Sequence, residues 1–238
     1  MSKYENYWEI ADARLLSYST PTEEYESQGL ADVQELIAFC ARVSNPSNQF
    51  NTDTSDKLIR YLVKHQHWSP LEMVSACLEI TTTRDIGRQL LRHRSFSFQE
   101  FSQRYADPTK DLEFVLRDAR LQDTKNRQNS IEIDVLNDEQ RRTAYQWEIL
   151  QGELIEKVKS IYTWAIEHGI AKEQARAVLP EGLMSSKLYM NGTLRSWIHF
   201  IQLRSANGTQ KEHIIIAKEC AKAIAKIFPM TNEFVSKD

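Results

Sequence analysis

The sequence has 238 residues, of which 41% are hydrophobic and 26% are charged, and its formal net charge is −3. This length is sufficient for one continuous hydrophobic core, and the low content of glycine (7) and proline (6) excludes a chain dominated by disordered linkers. The net charge argues against a general nucleic-acid or membrane-surface binder, and no apolar run approaches the roughly 20 residues of a membrane-spanning helix.

The N-terminal segment and the cysteines favour a cytoplasmic protein. Met1 to Ile10 is polar and acidic and lacks the basic and apolar stretches of a secretory signal. Cys40, Cys77 and Cys220 are an odd, scattered set without CxxC spacing, which suits a reducing compartment better than a disulfide framework or a zinc site. We expect residues 1–238 to form a single cytoplasmic domain.

Hydrophobic periodicity predicts the following elements in chain order. The predicted helices are Asp32–Val43, Asp53–Lys64, a short helix capped by Asp85 and running to Arg92, Asp138–Glu167 with Gly169 as its stop signal, Ala171–Leu179, Thr193–Ser205 and Gln210–Ile227. The predicted strands are Val74–Thr81, Glu113–Leu116 and Leu188–Met190, with a functional loop at Ser95–Tyr105 and an exposed excursion at Leu121–Asn137. Strands interrupted by helices without a regular β-α-β order predict an α+β fold with a small sheet.

Arginines are concentrated in one short part of the sequence, at Arg84, Arg88, Arg92, Arg94 and Arg104. Two such charges about 4 Å apart repel by about 4 kcal/mol at an effective dielectric constant near 20, so anions are expected among them. Carboxylates such as that of Glu100 supply part of the compensation, and phosphate is the other natural partner because each arginine presents two donors to it. The pattern therefore indicates a site for phosphorylated ligands.

Three alternative interpretations remain open. The charge pattern alone fits a solvated face with surface ion pairs equally well. Phe96, Phe98 and Phe101 are either ordinary packing or a stacking platform of the kind that single-stranded nucleic-acid binders use. His65, His67 and Glu72 could ligate a metal, but a third ligand at a firm spacing is missing, so we expect no metal site.

Arg92-His93-Arg94, followed after seven residues by Ser102 and then by Arg104, resembles the signature motif of the flavin-dependent thymidylate synthases. Two further parts of the chain resemble segments of that family in the same order. These are His67-Trp68-Ser69-Pro70-Leu71-Glu72, and Ala175–Pro180 with Thr193–Arg195, His199 and Leu203–Ser205. The likeness extends from Ala31 to Phe228, with Gln99 and Met73 standing where the family usually has Asn and a second His.

The resemblance implies a small, mostly antiparallel sheet flanked by long helices. It implies reductive methylation of dUMP to dTMP, with methylenetetrahydrofolate as carbon donor and FAD, reduced by NADPH, as hydride source. It also implies a homotetramer with sites shared between subunits; we expect no nucleic-acid, membrane or metal partner. The residues that it assigns to dUMP are Gln89, Leu90, Leu91, Arg92, Glu100, Phe101, Ser102, Gln103, Arg104, Arg176 and Arg204. Those that it assigns to FAD are His67, Ser69, Arg92, His93, Arg94, Glu100, Thr193, Leu194, Arg195 and His199.

The resemblance makes Arg204 the catalytic residue, placed against the uracil to stabilise negative charge at N3 or O4. An arginine suits this role because it stays protonated at any working pH. Nothing in the sequence places a base beside Ser102, so a nucleotide-binding role is favoured over a nucleophilic one. Cys77 alternates with apolar strand residues and is interpreted as packing. With no convincing protein nucleophile, the hydride chemistry belongs to the cofactor.

The predicted helix Thr193–Ser205 has functional candidates on two opposite faces. Arg195 and His199 lie on one face, whereas Arg204 lies on the other with Trp197. A straight helix cannot direct both sets into one pocket of its own subunit. Either the helix ends near Arg204 or its two faces serve different sites between subunits.

Overall fold

The computed structural model describes residues 3–237, so Met1, Ser2 and Asp238 of the predicted 1–238 domain lie outside the described residues. The strands are β1 (Glu5–Asn6), β2 (Asp12–Tyr18), β3 (Ser75–Thr83), β4 (Ser97–Glu100), β5 (Val115–Leu116), β6 (Arg120–Gln122), β7 (Ser130–Glu132) and β8 (Ser185–Thr193). The α-helices are α1 (Tyr7–Ile10), α2 (Glu23–Glu26), α3 (Val33–Ala41), α4 (Ser55–Lys64), α5 (Arg84–Leu90), α6 (Pro108–Asp111), α7 (Asp138–Glu167), α8 (Lys172–Ala175), α9 (Leu194–Arg204) and α10 (Lys211–Ala225). Short 3₁₀ helices occur at Pro46–Asn48, Ser69–Glu72, Arg176–Val178, Glu181–Leu183 and Pro229–Phe234.

The main sheet is antiparallel throughout and has the strand order β2-β3-β8-β4, which confirms the predicted α+β fold with a small antiparallel sheet. β3 and β8 pair along their whole lengths, from Ser75 opposite Thr193 to Thr83 opposite Ser185. The start of β3 therefore lies beside the end of β8. This register brings the segment that precedes β3 next to the first turn of α9.

One face of this sheet forms the larger core. Side chains alternate along a strand, so the even-numbered residues of β3 and β8 point to the same side and are buried. The buried side chains that meet there are Ala76, Leu78, Ile80, Leu188, Met190, Trp197, Phe200, Ile216, Ala217 and Ile224. Fully burying one such aliphatic or aromatic side chain contributes about 1.5–3 kcal/mol, so α9 and α10 are held firmly against the strands.

The bounds of α7 confirm the predicted helix Asp138–Glu167, because local signals mark both ends. The Asn137 side chain accepts hydrogen bonds from the backbone N–H groups of the first turn. Gly169 adopts a left-handed φ of 75° after the last turn, and Ile170 N–H donates to the carbonyl of Ala165. The buried face of α7 packs on Phe114 and Met184 in a second, smaller core.

Several predicted details were wrong. The predicted loop Ser95–Tyr105 contains β4, and β2 was not predicted at all. The predicted excursion Leu121–Asn137 contains most of the β6–β7 hairpin. The short helix ends at Leu90 rather than Arg92, and Thr83 rather than Asp85 occupies its N-cap position. Among residues 3–237, no helix combines the length and apolar character needed to cross a membrane.

Candidate active site

The segment before β3 and the start of α9 form one polar group. Glu72 of the 3₁₀ helix pairs with Arg195, and the Trp68 ring packs edge-on against the His199 ring with 4.5 Å between centroids. Burial, followed by the charge of Arg195, lowers the pKa of His199, so its imidazole is neutral at pH 7. Residues assigned to FAD from segments about 125 positions apart thus lie together because β3 and β8 are neighbours. We call this the α9-start group: His67, Ser69, Glu72, Arg195 and His199.

A left-handed turn positions the histidine pair before β3. Gln66 has φ 59°, which lets His67 N–H donate to the Leu62 carbonyl at 2.8 Å and close the end of α4. The His65 ring packs on Tyr61, with 4.3 Å between centroids. No group of three or more metal-binding side chains occurs within residues 3–237. His67, a member of the α9-start group, is exposed and accessible to a ligand.

A glycine holds the arginine-rich segment against the same end of the sheet. The Phe96 ring lies directly on Gly192, where an added Cβ would stand 2.4 Å from Phe96 Cδ1. Only a glycine permits this approach, and the Ser196 hydroxyl in the first turn of α9 donates to the Ser95 carbonyl at 3.4 Å, so Arg94 precedes a residue in contact with that turn. The guanidiniums of Arg92 and Arg94 are exposed, and neither has a carboxylate partner in the described part of the chain. They are free to bind an anion, as the arginine pattern predicts.

Four side chains form what we call the central group: Gln89 of α5, His93 of the turn after α5, Arg204 of α9 and His213 of α10. Arg204 Nε donates to His93 Nε2 at 2.9 Å, and His213 Nδ1 lies 3.1 Å from Gln89 Oε1. Burial, followed by the charge of Arg204, lowers the pKa of His93 to about 4. His93 is therefore neutral at pH 7 and accepts the Arg204 proton donor. Both terminal nitrogens of Arg204 remain without a partner among residues 3–237.

A cavity of about 390 Å³ lies on the other side of α5. Arg84, Arg88 and Arg176 line it together with Gln103, and Glu181 lies 3.5 Å from Arg84 and 3.3 Å from Arg88. Arg84 is buried, and its Nη1 atom has no hydrogen-bond partner in the described residues. Two carboxylates, those of Glu173 and Glu181, line the cavity against three guanidiniums, so its lining keeps an excess of positive charge. The cavity therefore suits a phosphate or another anion.

Carboxylates neutralise part of the arginine cluster but not all of it. Arg84 lies 3.7 Å from Glu100, and Arg104 lies 3.4 Å from Glu173. These pairs support the surface-ion-pair interpretation for part of the cluster only. The unpaired guanidiniums and the cavity leave room for phosphorylated ligands.

Some predicted residues contribute differently from what the sequence suggested. The side chains of Leu90 and Leu194 are fully buried in the core and can meet a ligand only through their backbone. Phe96 packs on Trp197 in the same core, so it cannot stack on a nucleic-acid base. The Ser102 hydroxyl accepts a long hydrogen bond from Arg104 N–H, with no imidazole beside it in the described chain. That arrangement agrees with a binding role rather than a nucleophilic one.

The structure also shows the surroundings of Cys77, Gln103 and His213. Burial raises the pKa of the Cys77 thiol, as expected for a packing residue rather than an active thiolate. Gln103 is buried and donates to the Met184 sulfur at 3.4 Å, while its side chain also borders the cavity. His213 was not predicted as a site residue, although a histidine in a helix otherwise rich in alanine and isoleucine could have indicated one.

A buried charge network next to the site was also missed. Arg117 donates to Asp85 at 2.6 Å and lies 3.5 Å from Glu212, which also receives two hydrogen bonds from Arg120. Burial alone would raise the pKa of Glu212, but the Arg120 hydrogen bonds and the Arg117 charge lower it. The network ties α5 and α10 to the segment that follows β5. Its arginines lie 13 and 16 residues beyond Arg104, the last residue of the signature motif, and carry no local signal.

Comparisons with known proteins match this arrangement. The family model described as "Thymidylate synthase complementing protein" matches residues 27–230. A probable flavin-dependent thymidylate synthase of Paramecium bursaria Chlorella virus 1 is 46% identical over 217 residues, 91% of this chain and 95% of that protein. The chain belongs to the flavin-dependent thymidylate synthase family. A flavin-dependent thymidylate synthase of Synechocystis sp. is 45% identical, covering 92% of this chain and 96% of the relative.

A solved structure supports the fold of this flavin-dependent thymidylate synthase family member. The UMP/dUMP methylase PolB from Streptomyces cacaoi, bound with 5-Br dUMP, superposes with a TM-score of 0.75. The two chains are 25% identical, and the match covers 94% of this chain and 93% of PolB. The likeness spans nearly the whole of both chains, so the α+β architecture is shared.

Proposed function

We propose that this enzyme methylates dUMP to dTMP with a one-carbon unit from methylenetetrahydrofolate and hydride from FAD reduced by NADPH. The observation that carries the proposal is the central group. There, the hydrogen-bonded pairs Arg204–His93 and Gln89–His213 lie side by side as one unit, with 6.2 Å between the centroids of the His93 and His213 rings. Arg92 and Arg94 stand beside it without carboxylate partners in the described chain. Family membership gives this unit its reaction.

FAD fits the donor set on the outer side of this unit. The unpaired guanidiniums of Arg92 and Arg94 suit a pyrophosphate, because each presents two donors to anionic oxygens. The α9-start group adds the exposed Ser69 and His67, and Thr193 caps the helix that follows. We assign these residues, with His93, Glu100, Leu194, Arg195 and His199, to the cofactor. Bound and reduced, FAD supplies the hydride that no protein side chain can provide.

In the proposed shared site, the nucleotide meets the cavity arginines of one subunit through its phosphate and Arg204 of another through its base, because the two lie on different sides of α5 within one chain. The cavity arginines, above all Arg176, offer donors to a phosphate dianion. Arg204 faces the uracil with its two terminal nitrogens, because His93 already accepts its Nε proton. That fixed charge stabilises the negative charge that develops at N3 or O4 during the reaction. The remaining residues assigned to dUMP are Gln89, Leu90, Leu91, Arg92, Glu100, Phe101, Ser102, Gln103 and Arg104.

A homotetramer with shared sites accounts for an exposed apolar stripe on α7. Leu150, Leu154, Ile161 and Trp164 are between 37% and 54% exposed, and their spacing places them on one side of the helix. The buried face of α7 is a separate side, so the stripe stays uncovered in one chain. We propose a single-domain subunit of a cytoplasmic tetramer without a nucleic-acid partner. Light scattering should give four times the 27.7 kDa chain mass, and Leu154→Glu should lower it.

UMP is the second candidate substrate, because PolB is named as a methylase of both UMP and dUMP. The relatives at 45–46% identity are named thymidylate synthases, which favours dUMP. Turnover measured with each nucleotide separates the two. We expect dUMP to be preferred. Equal or faster turnover of UMP would instead assign to this chain the UMP/dUMP methylase activity for which PolB is named.

The direct test of the proposed function is flavin content with a nucleotide-dependent spectrum. The purified protein should be yellow or take up added FAD, and dUMP should perturb the flavin absorbance band. Uridine, which lacks the phosphate, is the matched control and should perturb it far less. A colourless protein that takes up no FAD would refute the proposal. Tight, steeply salt-dependent oligonucleotide binding would support the nucleic-acid alternative instead.

A further inference from the structure

Side-chain hydrogen bonds connect the central group to the buried charge network. Gln210 Nε2 donates to Glu212 Oε2 at 2.9 Å, and Gln89 Nε2 donates to Gln210 Oε1 at 2.8 Å. This series of hydrogen bonds ends at His213, whose Nδ1 lies 3.1 Å from Gln89 Oε1. We call this series Glu212–Gln210–Gln89–His213 the amide relay.

The chemistry at its carboxylate end fixes the direction of every bond in the relay. Glu212 is ionised, since hydrogen bonds from Arg120 and the charge of Arg117 lower its pKa against the effect of burial, and it can only accept. Gln210 must therefore present its NH₂ group to Glu212 and its carbonyl to Gln89. Gln89 in turn must present its NH₂ group to Gln210, which leaves its carbonyl facing His213.

The imidazole of His213 is the last group of the amide relay and donates one hydrogen bond, to Gln89. His213 is fully buried, and burial together with the charges of Arg204 and His93 lowers its pKa to about 3. The ring is therefore neutral and carries one N–H, which lies at Nδ1 because Gln89 offers a carbonyl oxygen. Its Nε2 atom is buried without a partner among residues 3–237. The bond to Gln89 is thus the polar contact that fixes the ring in the described chain.

We propose that His213 is a positioning residue that, through the amide relay, holds the Gln89 amide in one of its two orientations for the nucleotide. The inference rests on the proposed function, because Gln89 is assigned to dUMP. In this orientation Gln89 keeps one N–H and one lone pair for a ligand, each on a fixed side. A flipped amide would exchange them and would set two carbonyl oxygens against each other at Gln210.

Two substitutions at His213 separate positioning from packing. His213→Leu keeps an apolar body of similar size but removes the donor. His213→Asn retains the hydrogen-bond donor, because an asparagine Nδ2 occupies about the place of a histidine Nδ1. His213→Leu should raise the KM for dUMP, and the dissociation constant from flavin titration, roughly 3- to 10-fold, as expected for one lost hydrogen bond. His213→Asn should stay within about twofold of wild type, with flavin content and the KM for methylenetetrahydrofolate unchanged in both.

Equal dUMP affinity in wild type and His213→Leu would overturn the inference, and so would equal losses in the Leu and Asn variants. If His213→Leu does not fold, Gln210→Leu carries the test, because Gln210 is exposed and its loss breaks the relay without altering the core. It should raise the dUMP constant by the same factor, and no change would again overturn the inference.

A readout independent of dUMP keeps this inference separable from the proposed function. Solid-state ¹⁵N spectra of histidine-labelled protein, with His213→Asn for assignment, should identify a neutral His213 protonated at Nδ1. A Nε2-protonated ring would overturn the relay even in an active enzyme. Conversely, a Nδ1-protonated ring in a protein that fails to bind FAD and dUMP would refute the proposed function and leave the relay intact.

Discussion

Two neighbouring regions of this molecule contain arginines, and they differ in whether those arginines have carboxylate partners. Arg117 and Arg120 are largely buried and are matched by Asp85 and Glu212 at 2.6–2.8 Å. Arg92 and Arg94 of the arginine-rich segment, in contrast, are exposed, and both lack a carboxylate partner in the described residues. Charge balance, rather than the number of arginines, therefore distinguishes arginines that hold the fold from those available to ligands.

Substitution of the buried arginine should have the largest effect. Arg117→Leu leaves the Asp85 carboxylate and part of the Glu212 charge unmatched, so we expect a loss of about 3 kcal/mol in the free energy of unfolding. Urea unfolding measures this loss. The matched control is Arg88→Gln, because the Arg88–Glu181 pair is about half exposed and should contribute less than about 1 kcal/mol. Equal losses in both variants would contradict the distinction between the two regions.

Arg204→Lys should have the opposite effect: it should lower turnover and leave the free energy of unfolding nearly unchanged. Lysine carries all its donors on one nitrogen and cannot reach His93 while presenting donors on two separate nitrogens to the uracil, as the guanidinium does. Turnover should therefore fall about 100-fold, or about 2.7 kcal/mol in activation free energy. Flavin content should stay near that of the wild type. A variant that loses flavin but retains turnover per bound flavin would show that Arg204 serves the cofactor instead.

Stability should depend on pH through the two buried histidines. The pKa values of His93 and His213 are lowered to about 4 and about 3, whereas an unfolded histidine titrates near 6.5. The unfolded chain binds more protons in this window, so stability is full above pH 6.5 and is lost as the pH falls towards 4. His213 should contribute about 2 kcal/mol to the loss between pH 7 and pH 5, and the half-buried His93 should contribute less, because solvent screens it. The slope should be shallower in His213→Leu, and an unchanged slope would contradict the assignment.

The smallest effect should come from the exposed region. Arg94→Gln should leave the melting temperature unchanged, because the described chain gives this side chain no ion pair to lose. FAD binding should weaken about 10-fold, as for one hydrogen bond to a charged group, or about 1.4 kcal/mol. Isothermal titration with FAD measures the change. Unchanged affinity together with a lower melting temperature would place Arg94 among the structural arginines.

Local signals account for the parts of the fold that the sequence predicted well. Asn137 and Gly169 act on their own neighbours, so the bounds of α7 were predictable. The pairing of β4 with β8 joins residues about 90 positions apart, and no local pattern encodes it. Asp85 was mistaken for a helix cap because its true partner, Arg117, is 32 residues away.

The candidate site divides in the same way. Motif resemblance identified Gln89, His93 and Arg204, which the structure brings together, but it could not place Leu90 in the core. His213 was missed because its role depends on the packing of α10 against α5 rather than on its sequence neighbours. Residue types along a motif predict chemistry, whereas the orientation of each side chain depends on contacts made across the fold.

The central claim is tested most directly by release of tritium from dUMP labelled at C5. Methylation must replace that hydrogen, so the purified protein with FAD, NADPH and methylenetetrahydrofolate should release tritium in step with dTMP formation. Omission of FAD from flavin-free protein should abolish both signals. Flavin-bound protein that forms no dTMP and leaves the tritium on C5 would contradict the assignment of this site to thymidylate synthesis.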